Sequence, residues 1–173
     1  MKKLKVGVLG ATGTVGRRFV SLLAGHPWFE LSLLAASPRS EGKTYAETVS
    51  GKQPPDFELP ESVRGMTVHS VENAGFIADN VDCVFCALNM DKASVKELEE
   101  RYARLECPVI SNNSAHRLTD DVPMIIPELN PEHADIIHAQ RRRLNTNRGF
   151  IAVKSNCSIQ SYVPALNAWK EFE

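Results

Sequence analysis

The stretch Val6-Gly-Val-Leu-Gly-Ala-Thr-Gly-Thr-Val-Gly16 decides the fold class of this chain. An apolar run stops at Gly10, as a buried parallel strand does, and apolar residues then recur at helical spacing. Gly10 permits a tight turn, Gly13 lets the backbone approach a pyrophosphate, and Gly16 allows close packing of helix on strand. The N-terminus of the following helix offers free N–H groups to an anion. This pattern predicts a dinucleotide-binding turn, and a glycine-rich connection without a ligand is the alternative.

Outward from this turn, strand and helix patterns alternate along the chain. Short apolar runs at 31–36, 81–88, 108–111, 124–126 and 150–153 predict further strands, and 66–71 predicts an edge strand. Helices are predicted at 93–105, at 130–144 and from Cys157 onward, whereas 38–65 is predicted to be an excursion with at most short structure. The alternation predicts an α/β fold, Rossmann-like and doubly wound, with a mostly parallel sheet.

Composition limits the classes of function. The chain has 173 residues, of which 43% are hydrophobic and 24% charged, as expected for one globular domain with a core. A formal net charge of -1 removes the usual electrostatic case for nucleic acid or an anionic membrane as a partner. The apolar run after the basic start breaks at Gly10, so no signal peptide or membrane span is predicted. We therefore expect a cytoplasmic protein with reduced thiols.

The second predicted strand indicates which nucleotide binds. No Asp or Glu occurs at 31–40, where an NAD-specific domain usually places a carboxylate for the ribose 2′-hydroxyl. The strand instead ends in Ser37-Pro-Arg-Ser40, with Lys43 nearby. A guanidinium and two hydroxyls suit a 2′-phosphate, which favours NADP. The alternative is that Arg39 and Lys43 are solvated loop charges.

The four cysteines do not share one role. Cys83 and Cys86 lie in one apolar run at an odd separation, which places their side chains on opposite faces of a strand and predicts core thiols. Cys107 is expected to be structural as well. Cys157 follows a strand and opens the last element, where a helix N-terminus favours the thiolate and makes a nucleophile. The alternative is that Cys157 is simply a small buried residue. Activation of the thiol by the helix requires that the first helical turn forms ahead of Pro164.

The chain resembles aspartate-semialdehyde dehydrogenase of the archaeal and fungal branch, essentially from end to end. The motifs that carry the resemblance are the 10–16 turn, Ser37-Pro-Arg-Ser-Glu-Gly-Lys-Thr-Tyr45, Ser111-Asn-Asn-Ser-Ala-His-Arg117 with Asp121-Val-Pro and Ile126-Pro-Glu-Leu-Asn130, and Gly149-Phe-Ile with Ser155-Asn-Cys-Ser158. Lys154-Ser155 stands where many members have Asn-Pro.

This resemblance implies site residues. Cys157 is the expected nucleophile, Arg117 and Asn113 are expected at the anion site for phosphate, and Asn156 is expected in the active-site pocket. No metal is expected. The expected cofactor contacts are Gly10, Thr12, Gly13, Thr14, Val15, Gly16, Ser37, Arg39, Ser40 and Leu88.

In the family a thiolate attacks a carbonyl, a hydride passes between NADP and the bound carbon, and phosphate exchanges with the thioester. The resemblance thus implies NADP-dependent reduction of aspartyl phosphate to aspartate semialdehyde, in lysine, threonine and methionine biosynthesis. Two alternatives stay open, namely a related acyl-phosphate or acyl-CoA reductase and a non-catalytic NADP-binding fragment.

The resemblance also implies a division of the chain. Residues 1–156 are the expected NADP-binding domain, and 157–173 the expected start of a catalytic and dimerisation domain that continues in the family. That second domain supplies the acid–base histidine, so we expect a small-molecule substrate, little turnover by this chain alone, and a homo-oligomer or a missing-domain partner. None of the five histidines here is expected to replace it: His116 is expected to be structural or solvated. Residues 141–143, three arginines, are expected to form a solvated helix end.

Overall fold

A seven-stranded sheet forms the centre of the computed structural model, which describes residues 2–51 and 59–172. All of its strand pairings are parallel, and the strand order is 3-2-1-4-5-7-6. The strands are β1 (Leu4–Leu9), β2 (Phe29–Ala36), β3 (Val68–Ser70), β4 (Cys83–Cys86), β5 (Val109–Ser111), β6 (Met124–Ile125) and β7 (Ile151–Lys154).

Helices cover both faces of the sheet. The α-helices are α1 (Thr14–Leu23), α2 (Tyr45–Val49), α3 (Glu61–Arg64), α4 (Ala74–Asn80), α5 (Lys92–Arg104), α6 (Ile137–Leu144) and α7 (Cys157–Ala168). The 3-10 helices are Pro38–Ser40, Pro131–Ile136 and Trp169–Phe172. The predicted α/β, doubly wound fold is confirmed.

The core has two parts because successive side chains of a strand point to opposite faces. Val6, Val8 and Leu34 pack with side chains of α1, α2 and α3 on one face. Leu9 and Leu33 pack with side chains of α4, α5 and α6 on the other. Each such fully buried aliphatic side chain stabilises the fold by about 1.5–3 kcal/mol, so the two apolar layers fix the sheet between the helices.

The sheet has one topological switch point, between β1 and β4. From β1 the chain proceeds outward to β2 and β3, and it then returns to pair β4 with the other side of β1. In open α/β sheets ligands bind outside the carboxyl ends of the strands at such a point. The fold therefore places a crevice beside the glycine turn that follows β1.

Several predicted elements differ in detail from the structure. The edge strand is confirmed as β3, and the 38–65 excursion contains only short helices where it is described; its residues 52–58 lie outside the described part. The strand predicted at 81–88 is shorter, because Ala87 N makes its last ladder bond to Leu9 O (2.9 Å) before the chain leaves the sheet. The helix predicted at 130–144 is divided, with a 3-10 segment opened by Pro131 ahead of α6.

The three cysteines predicted to be structural are buried or half-buried. Cys86 packs in the core layer with α5, and Cys83 packs against the opposite layer, which confirms the two faces. Burial raises the pKa of Cys83 to about 11 and that of Cys107 to about 12, and it raises the pKa of Cys86 strongly. These thiols are therefore protonated and poor nucleophiles near neutral pH.

The end of α6 is ion-paired rather than simply solvated. Arg143 Nε lies 2.5 Å from Asp121 Oδ2, and its Nη1 lies 2.7 Å from Glu100 Oε1. Arg141 stacks over the Phe150 ring at 5.5 Å. Arg142 and Arg143 are exposed in the last turn of α6, as expected, and Arg143 is in addition ion-paired with carboxylates of α5 and of the segment between β5 and β6. Within 2–51 and 59–172, no helix combines the length and apolar character needed to cross a membrane.

Candidate functional site

The glycine turn after β1 packs more closely than any side chain would allow. Gly10 has φ +83, and a Cβ there would lie 2.4 Å from Ala87 O. A Cβ on Gly16 would lie 2.0 Å from Gly10 O. The N–H groups of Gly10 and Ala11 both donate to Ala35 O, at 2.8 and 3.0 Å. The two glycines thus let the turn, α1 and the end of β4 meet in backbone contact.

A crevice of about 260 Å³ opens beside this turn. Its walls come from the segments that follow β1, β2, β3 and β4, so it occupies the switch point of the sheet. The lining residues are Gly10, Thr12, Gly13, Ala36, Ser37, Pro38, Val71, Glu72, Ala87, Leu88, Asn89 and Met90.

The structure sorts the predicted cofactor residues into three groups. Those that line the crevice are Gly10, Thr12, Gly13, Ser37 and Leu88. Gly16 is buried behind the turn, and Thr14 and Val15 lie exposed in the first turn of α1. Arg39 and Ser40 lie in the 3-10 helix just beyond the crevice, and the Arg39 side chain is exposed.

Seven of the twelve lining residues were not predicted as cofactor contacts, and three of these seven are Glu72, Asn89 and Met90, in the segments after β3 and β4. Each directly follows the end of β3 or β4, and position after a strand was the signal that could have found them. Glu72 places a carboxylate at the crevice, where Arg101 Nη1 lies 3.7 Å from its Oε2. This cation partly offsets the negative charge beside the crevice.

Cys157 opens α7 at the same edge of the sheet. Asn156 is the N-cap of α7, and its Oδ1 accepts a hydrogen bond from Ser158 N at 2.9 Å. The Cys157 thiol is exposed and lies 3.7 Å from Asn156 Oδ1. Pro164 lies inside α7 without ending it, so the first turn does form ahead of Pro164. Of the four thiols, the one in the open first turn is accessible to a substrate.

Arg117 ties the ends of β5 and β7 together beside this thiol. Its Nε donates to Lys154 O at 3.2 Å, and its Nη2 lies 3.4 Å from Ser155 O and 3.5 Å from Asn112 O. Within the described part of the chain, Nη1 makes no hydrogen bond. A guanidinium held in this way keeps two N–H donors for an anion.

Two further polar residues lie at the ends of β5 and β7. Asn113 follows β5, and its Nδ2 lies 3.6 Å from Cys86 Sγ at the end of β4. Lys154 Nζ donates to Ser155 O at 3.1 Å and lies 3.5 Å from Gln160 Oε1, one turn into α7. With Arg117, the ammonium of Lys154 gives this end of the sheet a positive character suited to an oxyanion.

Two histidines, His116 and His133, contact the loops around β6. His116 is buried, and its Nδ1 lies 3.2 Å from Thr119 Oγ1, in agreement with a structural role. The ring of His133 contacts the backbone of Met124. Among residues 2–51 and 59–172, no group of three His, Cys, Asp or Glu side chains is placed to hold a metal ion.

Comparison with known proteins shows the family of this chain. The profile of the family described as "Semialdehyde dehydrogenase, NAD binding domain" matches residues 5–137. The aspartate-semialdehyde dehydrogenase of Methanothermobacter thermautotrophicus is 48% identical over 155 residues, which are 90% of this chain and 42% of that protein. That of Cryptococcus neoformans is 42% identical over 168 residues, covering 96% of this chain and 44% of that protein.

Among solved structures, the aspartate-semialdehyde dehydrogenase of Candida albicans with NADP superposes with a TM-score of 0.83 at 35% identity. The match covers 99% of this chain and 48% of that one. The chain therefore spans less than half the length of the relatives it matches.

Proposed function

Because the chain belongs to the family of semialdehyde dehydrogenase NAD-binding domains, we propose that it is the NADP-binding and nucleophile-bearing part of an aspartate-semialdehyde dehydrogenase. One observation carries the proposal: the exposed thiol of Cys157 opens α7 at the same sheet edge as the glycine-lined crevice. A reactive thiol and a dinucleotide site at one edge are what a thioester-forming dehydrogenase needs.

The geometry supports NADP as the cofactor. Gly10 and Gly13 line the crevice at the start of α1, where a pyrophosphate would meet the first N–H groups of that helix. Ser37, Arg39 and Ser40 follow β2 and offer a guanidinium and hydroxyls to a ribose 2′-phosphate. When bound in its reduced form, NADPH, the cofactor would supply the hydride.

In the proposed reaction Cys157 attacks the acyl carbon of aspartyl phosphate. The C–S bond forms as the C–O bond to phosphate breaks, and phosphate leaves with the electron pair. The thioester carbon then receives a hydride, and collapse of the resulting alkoxide expels the thiolate and releases aspartate semialdehyde. Each step needs the sulfur within reach of the acyl carbon, which the exposed first turn of α7 permits.

Arg117, Asn113 and Lys154 are the proposed contacts to the leaving phosphate. Arg117 Nη1 retains its donors while the other nitrogens are fixed on backbone carbonyls, so the guanidinium is already oriented. Preorganised donors of this kind stabilise developing negative charge without reorganisation during the reaction. Asn156 is proposed to hold the first turn of α7, and with it the thiol, in place.

We further propose that the nucleotide-binding domain ends at residue 156. None of the described side chains of α7 is buried, whereas β7 immediately before it is almost fully buried. The exposed apolar side chains of this helix and its extension recur at helical spacing and form one apolar stripe: Ile159, Tyr162, Leu166 and Trp169. Such a stripe suits a protein partner, either a second copy or the part of the family's length that this chain lacks.

The test is nucleotide titration followed by thiol mapping on the same sample. We expect calorimetry to show tighter binding of NADPH than of NADH, and alkylation with mass-spectrometric mapping to modify Cys157 selectively. The buried Cys83, Cys86 and Cys107 serve as internal controls. Binding of neither nucleotide would remove the proposal. NADPH binding without selective modification of Cys157 would favour a non-catalytic NADP-binding fragment.

A further inference from the structure

A buried carboxylate lies beneath the turn that carries Asn113 and Arg117. Glu99, on α5, is fully buried, and its Oε1 accepts a hydrogen bond from Ser111 Oγ at 2.5 Å. Burial raises the pKa of Glu99, and the hydrogen bond from Ser111 acts against this rise. A buried carboxylate is costly unless its hydrogen bonds are made, so a position that needed only packing would be filled better by an apolar residue.

Ser111 connects Glu99 to the following turn through two hydrogen bonds. Its Oγ also accepts a hydrogen bond from Asn113 N at 3.0 Å. A carboxylate oxygen that is ionised can only accept, so the Ser111 hydroxyl must donate to Glu99 and turn a lone pair to Asn113 N–H. Glu99 thereby sets the direction in which the chain leaves β5.

The same carboxylate also reaches the other end of the turn. His116 is buried next to Arg117, and its Nε2 lies 3.9 Å from Glu99 Oε2. These two buried atoms have no hydrogen-bond partner within the described part of the chain, and they face each other. Burial lowers the pKa of His116, which keeps the ring neutral. Glu99 thus contacts the turn near both of its ends, at Ser111 and at His116.

We propose that Glu99 is a positioning residue that holds the 112–117 turn, and with it the Arg117 guanidinium, against the end of β7 that leads to Cys157. The inference rests on the proposed function in one respect, namely that this turn binds the substrate phosphate. Glu99 acts through the turn residues that it contacts, namely Ser111, Asn113 and His116. Its role predicts that the hydrogen bond matters and the charge does not.

The experiment uses inorganic phosphate as the probe and the alkylation of Cys157 by iodoacetamide as the readout. Phosphate bound at Arg117 slows alkylation, and the concentration that halves the rate measures the anion site. We expect Glu99→Ala and Ser111→Ala to raise this concentration roughly tenfold, the effect of one lost hydrogen bond. Glu99→Gln keeps an amide oxygen for Ser111 and is expected to stay within about threefold of the parent protein. NADPH binding should be unchanged in all three variants.

Gln140→Leu is the matched control. Gln140 is also fully buried, and its amide bonds to Asp121 O (2.9 Å), Ile151 O (3.0 Å) and Ile151 N (2.6 Å) without touching the turn. The Gln140→Leu substitution should lower the melting temperature. It should leave unchanged the phosphate concentration that halves the rate of Cys157 alkylation. Ser111→Ala removes a single oxygen and keeps the test available if Glu99→Ala does not fold.

The outcomes separate the inference from the proposed function. Equal phosphate protection in folded Ser111→Ala, folded Glu99→Ala and the parent protein would overturn the positioning role. If phosphate does not protect even the parent protein, the proposed anion site is wrong, and hydrogen exchange of 112–119 then decides the inference. Faster exchange there in Ser111→Ala than in Gln140→Leu supports positioning, and equal exchange refutes it.

Discussion

Two alanine substitutions in the glycine turn should have different effects. Gly13→Ala should weaken NADPH binding, and Gly16→Ala should destabilise the fold. Both residues belong to one glycine pattern, yet the structure gives them different surroundings. A Cβ on Gly13 would meet only Gly10 O, at 3.4 Å, and Gly13 has φ -76, which alanine adopts readily. A Cβ on Gly16 would lie 2.0 Å from Gly10 O and 2.7 Å from Gly10 C, both of them backbone atoms that no side-chain rotation can move.

These distances lead to different magnitudes. At Gly13, reduced freedom of the unfolded chain favours alanine by about 0.4–1 kcal/mol, and the poorer N-cap offsets a similar amount. The free energy of unfolding of Gly13→Ala should therefore change by less than about 1 kcal/mol. Gly16→Ala forces α1 away from the turn and should cost about 3 kcal/mol or more. Gly13 lines the crevice, so its new methyl group should displace the pyrophosphate from charge-assisted hydrogen bonds and weaken NADPH binding by at least about tenfold.

Urea unfolding followed by circular dichroism measures the free energy of unfolding. Calorimetric titration with NADPH measures the binding affinity. We expect a folded Gly13→Ala protein that binds NADPH poorly, and a Gly16→Ala protein whose free energy of unfolding is lower even without NADPH. Unchanged NADPH affinity in Gly13→Ala would show that the pyrophosphate does not lie at this turn. Parental stability in Gly16→Ala would show that α1 and the turn are not packed as described.

Three other changes test separate parts of the molecule. Arg39→Ala should weaken NADPH about tenfold or more and NADH less than about twofold by calorimetry, because only NADPH carries the 2′-phosphate; equal losses would refute that assignment. Leu166→Glu, on the apolar stripe of α7, should reduce self-association in light scattering, and a parent chain that is monomeric at high concentration would contradict the prediction. Backbone N–H groups at 147–149 lower the pKa of Glu106, so the stability from its ionised form is complete above about pH 4.3 and is lost as pH falls through the lower folded value. Glu106→Gln should therefore flatten the melting-temperature profile below about pH 5, and an unchanged profile would count against this coupling.

The sequence pattern predicted those features that depend on residues close together along the chain. The turn at 10–16 and the opposite faces of Cys83 and Cys86 follow from glycine conformations and strand periodicity, and the structure confirms both. The accessible thiol of Cys157 follows from its place between a strand and a helix. In each case the deciding interactions lie within a few residues along the chain.

Residues that a neighbouring strand of the sheet brings to the site could not be predicted from the sequence pattern. Glu72 enters the crevice because β3 pairs with β2, although the two strands are far apart in sequence. Glu72 lies outside the 31–40 segment, in which a nucleotide-binding carboxylate is expected from sequence. Strand order depends on long-range pairing, which periodicity does not report.

The burial of Glu99 is a second feature that the sequence pattern does not predict. It adjoins Glu100 in a run of charges on α5, where helical periodicity indicates a solvated face. Its neighbours Leu98 and Tyr102 face the core, so Glu99 lies at the boundary between the two faces, and its burial depends on Ser111 from β5. A charge at such a boundary is identified as buried only when its partner on another element is known.

The parallel sheet explains why chemistry spread along the sequence meets at one edge. Every strand ends on the same side, so the segments that follow β1, β2, β4, β5 and β7 all emerge there. From the turn after β1 to Cys157 after β7 there are three inter-strand spacings, about 14 Å. A ligand that joins the two ends must therefore pass over the ends of β4 and β5, where Asn89 and Asn113 stand. The turn that Glu99 holds lies at the thiol end of this path, after β5, and it contributes no residue to the lining of the nucleotide crevice.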